Sequence, residues 1–367
     1  MAKKKSAGHH RWRWKLGFSF AACILFLFVL KLRQNSLIGA HEATVPESEL
    51  ISLQAPDAVP NKIAFLFLAR NRMPLDIIWG PFFQEARADL FTIYIHSRPG
   101  FVYDKRTTAC SYFYGRQLSN SIQVEWGEAS MIEAERLLLI EALKDSSNDR
   151  FLLLSDSCVP LYNFSFVYNY IMSTPKSFLD SFTDVKESRY NPKMAPIILK
   201  NKWRKGSQWF ALKRDHAAVV ASDAVVFPIF RKFCKRRPLL DSWRQKHLTG
   251  DPSKQHNCIP DEHYVQTLLA MKGLESEIER RTLTYTLWNQ TNKEYEGAGW
   301  HPVTFKSADV DSELIGKIKA IMSVYYETEY RREWCSKNGT AQPCFLFARK
   351  FTRGAALGLL NQNIWNT

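Results

Sequence analysis

The chain has 367 residues, 46% of them hydrophobic and 13% aromatic, and carries a net charge of +14. That apolar content excludes a wholly disordered chain and is ample for one large or two small domains. Part of the positive charge is Lys3, Lys4, Lys5, Arg11, Arg13 and Lys15. The remainder is still basic, which suits an anionic ligand such as a nucleotide or an acidic glycan, and no nucleic-acid-binding module is recognisable.

Residues Leu16 to Leu30 carry no charge. A bilayer core takes roughly 17–25 apolar helical residues, so the run is short. Trp12 and Trp14 at one interface and a snorkelling Lys31 at the other extend it. The reading is a cytoplasmic tail over 1–15 and a transmembrane signal anchor over 16–33. The basic flank precedes the anchor, which places the rest of the chain in the lumen. A cleaved signal peptide is the competing reading; Lys31-Leu32-Arg33 follows the apolar run and the first small residues, Gly39-Ala40, come late. Residues 34–61 contain Pro46, Pro56 and Pro60 without periodicity and read as a stem.

A luminal location gives Cys110, Cys158, Cys234, Cys258, Cys335 and Cys344 an oxidising setting. Their pairing is open, although Cys335 and Cys344 are near enough in sequence to close a small loop. The absence of a C-x-x-C pair suggests neither a zinc ribbon nor a thioredoxin-like site. Asn163, Asn289 and Asn338 each begin an N-x-S/T glycosylation triplet.

In chain order, Ile63–Ala69 is a continuous apolar run and predicts a strand buried on both faces. A loop over 70–76 and a helix packing through Ile77, Ile78, Trp79, Phe82 and Phe83 follow. Leu90–Ile95 predicts a second strand, Ser121–Glu125 a third, and Phe151–Leu154 a fourth. Ser130 and Glu133 form a capping-box pattern opening a helix with Met131, Ala134, Leu137, Leu138 and Leu143. Alternating strands and helices imply an α/β domain with a mostly parallel sheet, whose ligands bind beyond the carboxyl ends of the strands. Arg70, Arg72, His96, Ser97 and Asp156 fall there. The second half is less regular and mixes Trp203 and Trp209 with many Lys and Arg, a composition suited to sugar rings or simply to a core with a solvated basic face.

Pro260-Asp261-Glu262 predicts a helix entry with Asp261 as N-cap and an apolar face of Val265, Leu268 and Leu269. Glu262 then sits at the domain rim, either as a general base or as a first-turn residue favoured by the helix dipole. No Ser-His-Asp order, P-loop or H-E-x-x-H occurs. Asp309-Val310-Asp311 has D-x-D spacing but no preceding apolar strand, and Asp156 follows a strand without a carboxylate partner. No metal site is supported, and an anionic diphosphate would need cationic side chains. Residues 343–353, ending in Ala348-Arg349-Lys350-Phe351, offer such a cluster; the bland alternative is an edge strand with a solvated basic tail.

The ordered set Ala69-Arg70-Asn71-Arg72, Ile95-His96-Ser97-Arg98-Pro99-Gly100, Trp126-Gly127, Leu154-Ser155-Asp156-Ser157-Cys158-Val159-Pro160-Leu161, Arg189-Tyr190, Trp203-Arg204-Lys205-Gly206-Ser207-Gln208-Trp209, Pro260-Asp261-Glu262-His263-Tyr264 and Phe345-Leu346-Phe347-Ala348-Arg349-Lys350-Phe351 resembles the core-2/I-branching β-1,6-N-acetylglucosaminyltransferase family. The resemblance is strongest to its plant branch and spans a luminal domain over 62–355, leaving 356–367 as a tail. It implies a GT-A-like fold in a single-pass type II Golgi protein. It implies an inverting transferase that moves N-acetylglucosamine or a related sugar from a UDP-sugar to a glycan or glycoprotein, without a metal or other cofactor. By the resemblance, Glu262 is the catalytic base. Lys350 contacts the donor diphosphate with a second basic residue, Arg281 or Arg349, Arg280 remaining a candidate. Arg70 and His96 line the donor side, and Lys205, Ser207 and Trp209 belong to the acceptor region. Ser97 stands where animal members carry an acidic residue, so UDP-glucuronic acid and UDP-xylose stay open as donors. A catalytically inactive carbohydrate-binding scaffold is the alternative of another class. A Golgi sulfotransferase is disfavoured because Arg70-Asn71-Arg72-Met73-Pro74 lacks a phosphosulfate-binding pattern.

Overall fold

The apolar run after Lys62 forms strand β1, Lys62–Leu68, at the centre of the molecule. The computed structural model describes residues 60–185, 189–236, 257–288, 302–337, 339–362 and 365. The predicted tail, anchor and nearly all of the stem lie outside the described residues, as do Asn289 and Asn338. Among the described residues no helix is long and apolar enough to cross a membrane. Val59–Thr367 is a single structural unit.

In chain order the main elements are α1 (Asp76–Gln84), β2 (Phe91–His96), α2 (Ala129–Leu143), β3 (Asn148–Ser155), β4 (Val159–Pro160), α3 (Phe164–Met172), β5 (Ser177–Phe178) and β6 (Ala211–Lys213). There follow α4 (Arg214–Ser222), α5 (Val226–Phe233), α6 (Tyr264–Met271), β7 (Ile278–Glu279), β8 (Thr284–Thr286), α7 (Ser312–Lys319), the hairpin β9 (Ser323–Tyr326) and β10 (Arg331–Trp334), the short pair β11 (Ser336–Lys337) and β12 (Thr340–Ala341), β13 (Phe347–Arg349) and α8 (Arg353–Asn361). The main sheet has the order β2-β1-β3-β6-β5-β7. Its β2, β1 and β3 are parallel, as are β5 and β7, while β6 runs antiparallel to both neighbours. A second sheet, β4-β13-β8, sits beside it.

The strand period of two sorts β1 onto two cores. Ile63, Phe65 and Phe67 face a cluster that includes Trp79, Phe82 and Phe83 of α1, Phe164 and Val167 of α3, and Leu359 of α8. Ala64 and Leu66 face a cluster with Ile132 and Leu138 of α2, Val220 of α4, and Tyr264 and Leu268 of α6. Burial on both faces is why β1 and the centre of β3 read as unbroken apolar runs rather than alternating ones.

Several expectations need correction. Residues 121–125 form no strand. The outer edge of β2 is already taken by residues 116–118, through Ile95 N–H to Arg116 O at 2.9 Å and Leu118 N–H to Ile95 O at 2.8 Å. Ser130 and Glu133 make no capping box: α2 begins at Ala129, and Ser130 Oγ accepts from the Glu125 N–H. Asp261 is not an N-cap but the middle of a 3-10 turn, Pro260–Glu262, ahead of α6. Residues 347–349 are no edge strand, because β13 lies between β4 and β8. Helix α8 runs through the boundary expected at 355, with Ala356 and Leu359 buried. The small Cys335–Cys344 loop, by contrast, forms as its spacing suggested; Cys234 pairs with Cys258, and Cys110 and Cys158 are buried thiols.

Candidate active site

The carboxyl ends of β1, β2 and β3 open into a cleft of about 1730 Å³. Arg70 and Asn71, His96 to Arg98, and Ser155 to Ser157 form its sheet side. The rest of its lining comes from Asp180, Phe182–Val185, Lys205–Trp209, Asp261–Glu262, Thr284–Thr286, Tyr325–Thr328 and Arg349–Lys350, among others. The sequence rule that ligands sit beyond parallel strand ends therefore locates this cleft.

Glu262 enters the cleft at the end of the 3-10 turn. Its carboxylate accepts from the Arg189 guanidinium at 2.7 Å and lies 4.0 Å from Lys205 Nζ. Its carbonyl accepts from the Gly206 N–H at 2.9 Å, which ties the Lys205–Trp209 segment to the turn. A Cβ at Gly206 would overlap the Asp180 carbonyl, so only glycine fits this crossing. Arg189 is itself placed by its backbone N–H donating to Asp184 at 3.1 Å. Burial pushes the Asp184 carboxyl up, but His263, the Arg189 N–H and the Trp203 indole outweigh it and hold it well below the usual carboxylate range.

The same cleft is lined by two consecutive cations, Arg349 and Lys350. Burial, followed by the neighbouring Arg349 cation, lowers the Lys350 ammonium. Burial likewise lowers Arg349, whose guanidinium lies 4.4 Å over the Trp209 ring. Trp209 is thus a platform for Arg349, with that face closed to a sugar. Ser207 is fixed by its N–H donating to Asp180 at 2.8 Å, and Gln208 donates to buried Glu135 at 2.7 Å. Burial raises the Asp261 carboxyl to about 7, with the adjacent Glu262 adding to the rise.

The structure brings Arg70, His96, Lys205, Ser207, Trp209, Glu262, Arg349 and Lys350 to one cleft. His96 is an internal prop there: its Nε2 accepts from the Ile122 N–H at 3.1 Å, and burial lowers its pKa to about 4. Arg281 lies away from the cleft lining. Its guanidinium is buried, donating to Cys344 O and Tyr170 Oη at 2.8 Å each and stacking on Phe178. Arg280 also lies off the lining, donating to Glu329 and to Ser181 O. The D-x-D carboxylates cap local turns instead: Asp309 accepts from Lys306 N–H and Asp311 from Leu314 N–H, each at 2.7 Å. Among the described residues no group of three His, Cys, Asp or Glu side chains is placed to hold a metal ion. Asn163 is half-buried and caps α3 by accepting from the Phe166 N–H at 2.9 Å. Reasoning from sequence had Arg189-Tyr190 among the family-resembling motifs but gave Arg189 no role, since it stands 73 residues from Glu262, and it missed Asp184 altogether.

Residues 63–319 match the model of the Core-2/I-branching enzyme family. Glycosyltransferase BC10 of Oryza sativa subsp. japonica is 56% identical over 306 residues, covering 83% of this chain and 77% of that protein. A crystal structure of an active-site mutant of LgtC aligns over 78% of this chain and 87% of that one, with a TM-score of 0.32 and 8% identity. The α/β cleft enzyme described above is a glycosyltransferase. It belongs to the Core-2/I-branching enzyme family, in its plant branch.

Proposed function

We propose that this glycosyltransferase moves a sugar, N-acetylglucosamine or a relative of it, from a UDP-sugar to a hydroxyl of a glycan or glycoprotein, with inversion and without a metal. The observation that carries this reading is one cleft lined by both the Glu262 carboxylate and the Arg349–Lys350 cations. Glu262 takes the acceptor hydroxyl proton as that oxygen forms its bond to the anomeric carbon. The bond from this carbon to the diphosphate breaks, and its electron pair stays on the departing UDP. Lys350 and Arg349, with Arg70 at the mouth, stabilise that charge in place of a divalent cation. Lys205 and Ser207 border the acceptor side beside Glu262. The sequence of residues 1–33 supports residence as a single-pass type II Golgi membrane protein with the cleft in the lumen.

The test is UDP release from a panel of UDP-sugars with EDTA present. Glu262→Gln is expected to lower kcat by about 10²–10⁴-fold with donor KM little changed. Turnover abolished by EDTA overturns the metal-free mechanism. Full turnover in the Gln variant removes Glu262 from its role. Glycan binding without any sugar turned over returns the scaffold alternative.

A further inference from the structure

The hairpin of β9 and β10 has two faces, set by the strand period of two. Its inner face is packed against the cleft wall. Tyr326 Oη donates to Asp180, the Tyr326 ring lies 5.5 Å from that of Phe182, and Arg331 donates to Ser181 O at 3.1 Å. Asp180 also accepts from the Ser207 N–H at 2.8 Å, and Phe182 and Lys205 exchange two backbone hydrogen bonds of 2.8 Å. The hairpin is therefore braced against the segment that borders Glu262. At its far end the Cys335 N–H donates to Met322 O at 2.9 Å, and the Cys335–Cys344 disulfide ties β10 to the segment entering β13. The outer face sets Tyr325 opposite Arg332 and Ser323 opposite Trp334. Tyr325 is 49% exposed and Trp334 68%. The Arg332 guanidinium is 5.4 Å from the Tyr325 ring and 5.6 Å from the Trp334 ring, and it donates to Ser323 Oγ at 2.9 Å. Exposed aromatics scattered singly are ordinary, but a Tyr, an Arg and a Trp aligned on one braced face have the composition of a binding anchor. Tyr325 belongs both to this row and to the lining of the cleft, so the row continues the cleft outward.

We propose that the outer face of the β9–β10 hairpin is an acceptor subsite, on which Tyr325, Arg332 and Trp334 hold the sugars of an acceptor oligosaccharide beyond the one that reacts. This names the acceptor class for the reaction proposed above and rests on that reading. The row fits a glycan rather than an apolar protein seam because it contains no aliphatic side chain. Its ring faces meet the C–H faces of sugars, while Arg332 and Ser323 offer hydrogen bonds to hydroxyls. Tyr325 and Trp334 are diagonal neighbours across the strands, about 7–8 Å apart at the backbone. One sugar ring does not cover both, so the row favours an oligosaccharide over a single sugar or a bare protein hydroxyl. The hairpin thus reads the length of the acceptor, and the groups around Glu262 read the hydroxyl that reacts.

The experiment is calorimetry of the full-length protein in detergent against disaccharides and hexasaccharides of the β-galactan, β-xylan and β-glucan series. Wild type is expected to bind the hexasaccharide of at least one series roughly tenfold more tightly than its disaccharide. Trp334→Ala and Tyr325→Ala are each expected to bring that ratio close to one. Trp334→Phe keeps an aromatic face and is expected to retain most of the ratio, which separates sugar contact from lost packing. Equal affinity for both lengths in every series, no binding of either, or an unchanged ratio in both alanine variants overturns the subsite and leaves the transfer reaction standing. A wild-type dimer that Trp334→Ala converts to a monomer by light scattering, with the ratio unchanged, overturns it in favour of a second copy of this chain. Transfer is read separately, as UDP release with the hexasaccharide as acceptor. A length preference without release from any UDP-sugar is failure of the reaction proposed above, and the acceptor role of the row falls with it.

Discussion

Glu262 shows how one side chain acquires a role from its neighbours. A carboxylate at a helix entry is ordinary in sequence, and what distinguishes this one is the Arg189 contact at 2.7 Å and the Lys205 ammonium at 4.0 Å. Removing the guanidinium leaves the carboxylate without its main anchor. Arg189→Met is therefore expected to lower kcat about tenfold with donor KM nearly unchanged, read by UDP release. An unchanged kcat would show that Glu262 orients without it. His96 makes a prediction of the opposite kind, about stability. Burial lowers its folded pKa from 6.5 to about 4. Between those values the unfolded chain binds the proton and the folded one does not. Stability is thus fully present above about pH 6.5 and falls as pH drops toward 4, by roughly 3 kcal/mol at most. Urea unfolding at pH 7 and pH 5 should show a loss that His96→Gln reduces; the same loss in both would assign the acid sensitivity elsewhere.

Short irregular elements, rather than the regular ones, shape the part of the cleft around Glu262. The Lys205–Trp209 segment passes so close to Asp180 that Gly206 admits no side chain, and its N–H also holds the Glu262 carbonyl. Gly206→Ala is expected to move this segment, costing about 1–3 kcal/mol in stability and most of the activity, whereas Ala substitution at exposed Gly354, whose Cβ meets only ordinary contacts, should be tolerated. The disulfide Cys234–Cys258 ends one residue before Ile259, the N-cap of the Glu262 turn. Replacing both cysteines by serine should cost about 3 kcal/mol by the loop-entropy argument and lower kcat through the loosened turn; thermal unfolding and UDP release measure the two effects. The strand expected at 121–125 and absent from the structure belongs to this scale as well. Its local pattern is compatible with a strand, but the sheet edge it needed was occupied by residues 116–118.

At the scale of the molecule, the catalytic unit and the N-terminal segment are separable in expectation. The structural unit begins at Val59. A chain lacking residues 1–58 is expected to keep its fold and turnover and to move from the membrane pellet to the supernatant on fractionation. Persistence in the pellet would show a second membrane contact and weaken the signal-anchor reading. The two-sided core also explains why α8 belongs to the domain: Ala355, Ala356 and Leu359 cover the face of the sheet shared with α1 and α3.

The sequence by itself determined the central strands, the α/β class, the family and eight of the side chains that line the cleft. Those properties rest on local chemistry: unbroken apolar runs, strand-end polar residues and short ordered motifs survive without knowledge of what they contact. Only the tertiary structure decided that β6 runs antiparallel to its neighbours, that Arg281 is a buried brace, and that Asp309 and Asp311 are caps. It alone set Arg189 against Glu262. The reason is physical. A charge takes its function from the charges and solvent around it, and those arrive from segments far apart along the chain.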